Sequence, residues 1–173
     1  MLGTLTTAVL FVPLERWRPL RPEQGPFRKG WLTDAEYFFA SHALVQLMSV
    51  LVMLPAVKQG AWLAVPLLAA AVQSIPVALQ LLGCVLVADL AQYWVHRGFH
   101  RVPLLWRFHL VHHSVERMDW LAGSRLHLVD IIVTRGLVLL SLIVVGFDER
   151  AVLAYLGFVS FHAVFVCLLY TSP

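Results

Sequence analysis

Charge is what this chain has least of. Only 13% of its 173 residues are Asp, Glu, Lys or Arg, about half of the roughly 25% found in soluble domains. With 60% hydrophobic residues, an ordinary water-exposed surface is excluded, and most of the molecule is expected to be solvated by lipid. Cysteine is scarce too. Cys84 lies in an apolar run and Cys167 stands far from it, so neither a disulfide framework nor a thiolate metal site is indicated. The net charge of +3 is too modest to suggest a nucleic-acid partner. There is no HExxH signature of the zinc proteases. A cleavable signal peptide is not evident either. The apolar stretch from Leu2 to Val12 has no basic residue before it and no small-residue cleavage site after it, and its 11 residues are too few to span a bilayer.

What the chain does contain is a succession of apolar helical runs interrupted by basic loops. Glu15 to Gly30, "ERWRPLRPEQGPFRKG", holds three prolines and five basic residues and reads as a loop. Trp31 to Leu54 provides 24 residues, enough for one crossing, with Asp34 and Glu36 in its first turns, where interfacial water and the helix dipole favour them. A short helix is expected near residues 61–73, with Pro66 and Pro76 as breakers, then a second crossing from about Ile75 to Tyr93. Trp94 to Leu128 is rich in His and Arg. Val129 to Phe147 is apolar again, with Asp130 and Arg135 near its start, and after "GFDER" an apolar helix runs from Ala151 to Val166. The expected fold is all-α: two full crossings, a helical cap rich in histidine, and a hairpin dipping into the membrane. Residues 1–30 form an apolar stub and basic loop, and 31–166 the membrane domain. The five basic residues of the first loop and Arg97, Arg101, Arg107, Arg117 and Arg125 of the cap would lie on one face, and the positive-inside rule makes that face cytoplasmic.

Five of the eight histidines fall between His96 and His113. His96 and His100 are four apart and share a helix face; His109, His112 and His113 repeat that geometry at i, i+3 and i+4. Pro103 lets the chain bend between two helical pieces, so both could aim their imidazoles at one point. Asp89 and Tyr93 fall on the face of His96, which makes Asp89 a candidate to hold a ligand's other ring nitrogen. Polar clusters beside a membrane are costly without a purpose, and this one indicates metal. All-imidazole sites suit zinc, copper, iron or nickel, and five ligands exceed what one tetrahedral zinc takes. Two metals, or one of higher coordination, remain open on spacing alone. His42 reads as an interfacial side chain with a water or carbonyl partner. A metal-transport protein or a non-catalytic sensor are the competing readings, although a transporter places its ligands near the bilayer midplane.

The stretches "DLAQYWVHRGFH", "WRFHLVHHS" and "MDWLAGSRLH" resemble the fatty acid hydroxylase superfamily, also called the sterol desaturase family, whose HxxxH and HxxHH boxes match His96/His100 and His109/His112/His113. The resemblance spans roughly Trp31 to Val166. It implies a membrane-embedded di-iron oxygenase that uses O₂ and an external electron donor to hydroxylate or desaturate a membrane lipid or sterol. The five histidines would then be the metal ligands, with no separate acid or base, on the cytoplasmic side of a membrane such as the bacterial inner membrane. His127 and His162 match positions of interest but are expected to serve as pocket or interface histidines, and Arg125 and Asp119 as local polar or gate groups. The family pattern continues with a further histidine after a helix like "FVSFHAVFV" and then a second HxxHH box. Here Cys167 opens "CLLYTSP", a heptapeptide that a sequencing adapter encodes when read in frame. Residues 167–173 are therefore expected to be adapter-derived, and the chain an inactive fragment.

Overall fold

A computed structural model of the protein describes residues 27–48, 60–116, 119 and 121–169, with isolated positions before and between these stretches; side chains at 60, 61, 160, 161 and 163–169 are not described. Most of the stub at Leu2 to Val12 and of the basic loop, residues 49, 50 and 52–54 of the first expected crossing, and 170–173 of the expected adapter segment lie outside it. Among the described residues all regular structure is helical: α1 Trp31–Met48, α2 Pro66–Gln73, α3 Val77–Arg101, α4 Pro103–His113, α5 Leu128–Val145 and α6 Glu149–Leu169, with 3₁₀ turns at Gly60–Leu63 and Ala122–Ser124. The all-α expectation holds.

The prolines start helices rather than break them. Pro66 occupies the first turn of α2, Pro76 caps α3 and Pro103 opens α4, positions where a missing N–H costs nothing. Without a breaker after Pro76, α3 runs 25 residues without interruption. It carries His96 and His100 on its last turns, where a separate short cap helix was expected. Val102, in extended conformation (φ −94°, ψ 114°), separates it from α4, so Pro103 makes the expected bend.

Two described helices are long and apolar enough to cross a membrane, α3 and α5. The expectation placed the crossings at 31–54 and 75–93. The described part of the first, α1, carries Asp34, Glu36, His42 and Gln46 within 18 residues and is too polar to qualify, whereas α5, expected as an arm of a dipping hairpin, does qualify. Neither helix is mostly enclosed by protein. On α3, Leu79, Leu82, Leu86 and Leu90 form a stripe exposed by 55% or more. Such a row, left bare in water, would be costly; against acyl chains it is at rest.

The core joins three helices. Cys84 and Ala88 of α3 meet Val138, Leu139 and Leu142 of α5 and Ala151, Val152 and Tyr155 of α6. The small side chains Cys84, Ala88 and Ala151, each 2% exposed or less, let the helix backbones approach closely. The turn between α5 and α6 depends on Gly146, whose φ of +83° suits glycine. A Cβ there would come within 2.4 Å of the Ala69 Cβ. Gln80 ties this end together, accepting from the Asp148 N–H at 2.8 Å and donating to the Ile75 carbonyl at 2.9 Å.

At the opposite end of α3, the chain before α1 meets the segment after α4. Arg28 donates twice to Asp119 at 2.7 Å and to Asp34 at 2.6 Å, and Arg125 donates to the other oxygen of Asp34 at 2.5 Å. Asp119 also accepts from the backbone N–H groups of Leu121 and Ala122. Asp34, expected in interfacial water, is instead fully buried between two arginines. Arg125 reaches on to the Ser114 carbonyl at 3.2 Å, just beyond the last histidine of α4. This network of two arginines and two aspartates is neutral in sum and puts the end of the basic loop at the same end of the molecule as the histidines.

Candidate metal centre

The last turns of α3 and the whole of α4 bring the histidines together. His96, His100 and His109 each offer a ring nitrogen, and the three lie within 4.8 Å of one another, a group that could hold a metal ion. The Nε2 atoms of His96 and His100 are 3.2 Å apart, and that of His113 is 3.3 Å from His100 Nε2. His112 is turned further away, its ring centroid 5.4 Å from His109 and 5.5 Å from His113. Four of the five predicted residues thus converge closely, and the fifth borders them.

Two buried nitrogens test whether a cation fits. His109 Nε2 and His112 Nδ1 are enclosed and, among the described residues, have no hydrogen-bond partner. Leaving such a group unsatisfied costs about 1–3 kcal/mol, and a metal ion would satisfy it. The donor set, imidazole nitrogens alone, suits iron, zinc, copper or nickel. Burial first, and the neighbouring His109 second, hold the His112 imidazole below its ordinary pKa; the same causes, with His112 added, lower His113. Both effects favour the neutral imidazole, the form that binds metal.

The aromatic surroundings pin the rings. Phe99, 1% exposed, stacks on His109 at 5.2 Å and 29°. Trp106 sits 5.1 Å from His100 and 5.3 Å from His113. Neither residue stood out in the sequence, because an aromatic on a helix ordinarily signals core packing.

Asp89 was expected to face the cluster. It is exposed, and among the described residues it makes no hydrogen bond to any of the five histidines. The carboxylate that reaches them is that of Asp130, whose Oδ2 lies 2.5 Å from His109 Nδ1. In sequence Asp130 was merely a polar residue at the start of an apolar helix; the 21 residues between the partners left no local signal.

The other histidines stand apart. His127 caps α5, its Nδ1 accepting from the Val129 N–H at 3.1 Å, with its ring 4.8 Å from Phe108. His42 pairs with the Phe38 carbonyl at 2.8 Å, the carbonyl-partnered role expected of it. His162 stacks on Phe158 at 5.4 Å.

Comparison with known proteins follows the same line. The sequence model of the fatty acid hydroxylase family matches residues 81–172. Over 53 residues, 28% of this chain, the sequence is 43% identical to the fatty acid hydroxylase vlmA of Lecanicillium sp, of which 14% is covered. Over 55 residues, 32% of this chain, it is 38% identical to the ornithine lipid hydroxylase OlsE of Rhizobium tropici, of which 17% is covered. The chain therefore spans a small part of the length of these relatives. No solved structure matches it. With the family match extending over more than half of the chain and containing all five clustered histidines, the chain belongs to the fatty acid hydroxylase family.

Proposed function

We propose that the chain carries one half of a di-iron centre of a membrane lipid hydroxylase or desaturase, with His96, His100, His109, His112 and His113 as ligands. The observation that carries this reading is the convergence of imidazoles from two helices around buried nitrogens that lack a hydrogen-bond partner among the described residues. Bound iron would supply the O₂ activation and electron transfer that no side chain here offers. Hydroxylation puts one oxygen atom of O₂ into a C–H bond and releases the other as water, and desaturation removes two hydrogens while both oxygen atoms leave as water. In either case two electrons and two protons come from outside, through an external donor. The protein's part is to hold the ligands in a neutral state and to present a lipid.

Lipid as the substrate class is supported by α3 itself. Its exposed row Leu79, Leu82, Leu86 and Leu90 continues at helical spacing through Tyr93 to His100, so an acyl chain lying along the helix leads to the cluster. A relative acting on ornithine lipid points to the same class, and a sterol fits the same face. In this reading the histidine end, with its arginines, faces the cytoplasm, as in a bacterial inner membrane. No nucleic acid takes part.

Five ligands serve only one side of a two-metal centre, so the chain alone binds metal without turning over. The test is anaerobic reconstitution of the purified chain in lipid nanodiscs with Fe²⁺, followed by O₂ and a chemical reductant. Iron retained by the chain and lost in His100→Ala and His109→Ala is expected, with no oxygenated lipid formed. Failure to retain iron would overturn the metal centre, whereas oxygenated lipid from this chain alone would overturn the half-site.

A further inference from the structure

Asp130 is the third residue of α5, in its first turn, where the helix dipole favours a carboxylate. It is 5% exposed. Both of its oxygens are engaged: Oδ1 accepts from Thr134 Oγ1 one turn on, at 3.2 Å, and Oδ2 meets His109 Nδ1 at 2.5 Å. Among the described residues no Lys or Arg pairs with it; its partner is the His109 imidazole, which is a cation only when protonated. A buried carboxylate with no cationic partner of its own is costly. It needs positive charge nearby, and the place where charge could come is the far side of the His109 ring.

We propose that Asp130 is the positioning residue of the metal centre, fixing His109 so that its Nε2 faces the ion. This rests on the metal reading above. A carboxylate can only accept, so the Nδ1 it faces must carry the hydrogen, and in a neutral imidazole that leaves the lone pair on Nε2. That atom is the one that, among the described residues, lies buried without a hydrogen-bond partner in the group formed with His96 and His100. Phe99 stacked on one face of the ring resists its rotation, and Thr134 holds the carboxylate. Such a hydrogen bond sets the tautomer, raises the basicity of the ligating nitrogen and brings one negative charge toward the cation. Asp130 touches neither substrate nor ion. It acts through His109, and it ties α5 to a cluster otherwise built from α3 and α4.

The experiment titrates the purified chain in detergent with Co²⁺, read by the visible absorption of the bound ion, in the wild type, Asp130→Asn, Asp130→Glu and His109→Ala. Asparagine keeps the shape but loses the charge. Binding is expected to weaken about ten- to a hundredfold in Asp130→Asn, with a changed band shape, unaltered helical circular dichroism and partial recovery in Asp130→Glu. Wild-type affinity in Asp130→Asn beside loss of binding in His109→Ala would overturn the positioning role while leaving the metal centre standing. If the wild type bound no Co²⁺, both would fall. Should the variants not fold, nitrogen NMR of histidine-labelled, Zn²⁺-loaded wild type decides: a hydrogen on Nδ1 of His109 supports the proposal, and a hydrogen on Nε2 overturns it.

Discussion

His112 and His113 show how a crowded imidazole group shapes stability. Their folded-state pKa values are lowered by burial and by neighbouring imidazoles, while in the unfolded chain each returns to about 6.5. As pH falls through 6.5, the unfolded state takes up protons first, so the metal-free protein loses stability from there down to the folded-state values. Its melting temperature in detergent is expected to drop between about pH 7 and pH 5, and His112→Gln should flatten the slope. A pH-independent melt in that window would contradict the lowered values. At this scale the sequence was informative about the five histidines, because spacing within a helix is a local property. It could not tell Asp89 from Asp130. Asp89 shares a helix face with His96, yet it is exposed and bonds to none of the five histidines among the described residues, and Asp130 reaches His109 only because α5 packs beside α4.

Between elements, the buried network of Arg28, Asp34, Asp119 and Arg125 is the main polar fastening. Burial works against the Arg28 guanidinium, but its hydrogen bonds to Asp119 and Asp34 outweigh that, so its pKa is raised and its charge secured. Its side chain is 2% exposed, and those of Asp34 and Asp119 are 0% and 8%. Removing one charge from such a group leaves another uncompensated, at a cost of about 3–5 kcal/mol. Arg28→Met is therefore expected to destabilise the protein by that order in a thermal or denaturant melt. Adding Asp119→Asn should restore part of the loss, because Arg125 and Asp34 then balance. If Arg28→Met melted like the wild type, the network would be dispensable. Arg125 links the network to Ser114, so the same variant should also loosen the α4 end of the histidine group. The sequence showed Arg28 as a loop charge and Asp119 and Arg125 as local polar or gate groups; Asp34 looked like an interfacial carboxylate in the first turns of a helix, because nothing near it in the chain announces that Arg125 will cover it.

Taken whole, the molecule has two ends separated by α3. Gln80 and His100 are 20 residues apart on that helix, about 30 Å at 1.5 Å per residue, which matches the hydrocarbon thickness of a bilayer. The histidines and the arginine network occupy one end, and the Gly146 turn with Asp148 the other. Single cysteines placed at Arg107 and at Glu149, with Cys84 and Cys167 replaced by alanine, should react with an impermeant maleimide from opposite sides of sealed vesicles, Arg107→Cys from the cytoplasmic side. Labelling of both from the same side would rule out α3 as a crossing.

Composition and periodicity carried much of this in the linear chain. Scarce charge marks a lipid-solvated helical protein, and His96, His100, His109, His112 and His113 at i, i+3 and i+4 mark a metal-ligand group on helices, because both are properties of neighbouring residues. How deeply each charge lies, and which carboxylate reaches the histidines, came from packing. The Asp130–His109 pair is separated by 21 positions, and the Arg28–Asp119 and Arg125–Asp34 pairs by 91 each. Contacts at such separations are set by how α1, α4 and α5 lie against one another, and no local pattern of residues encodes that arrangement.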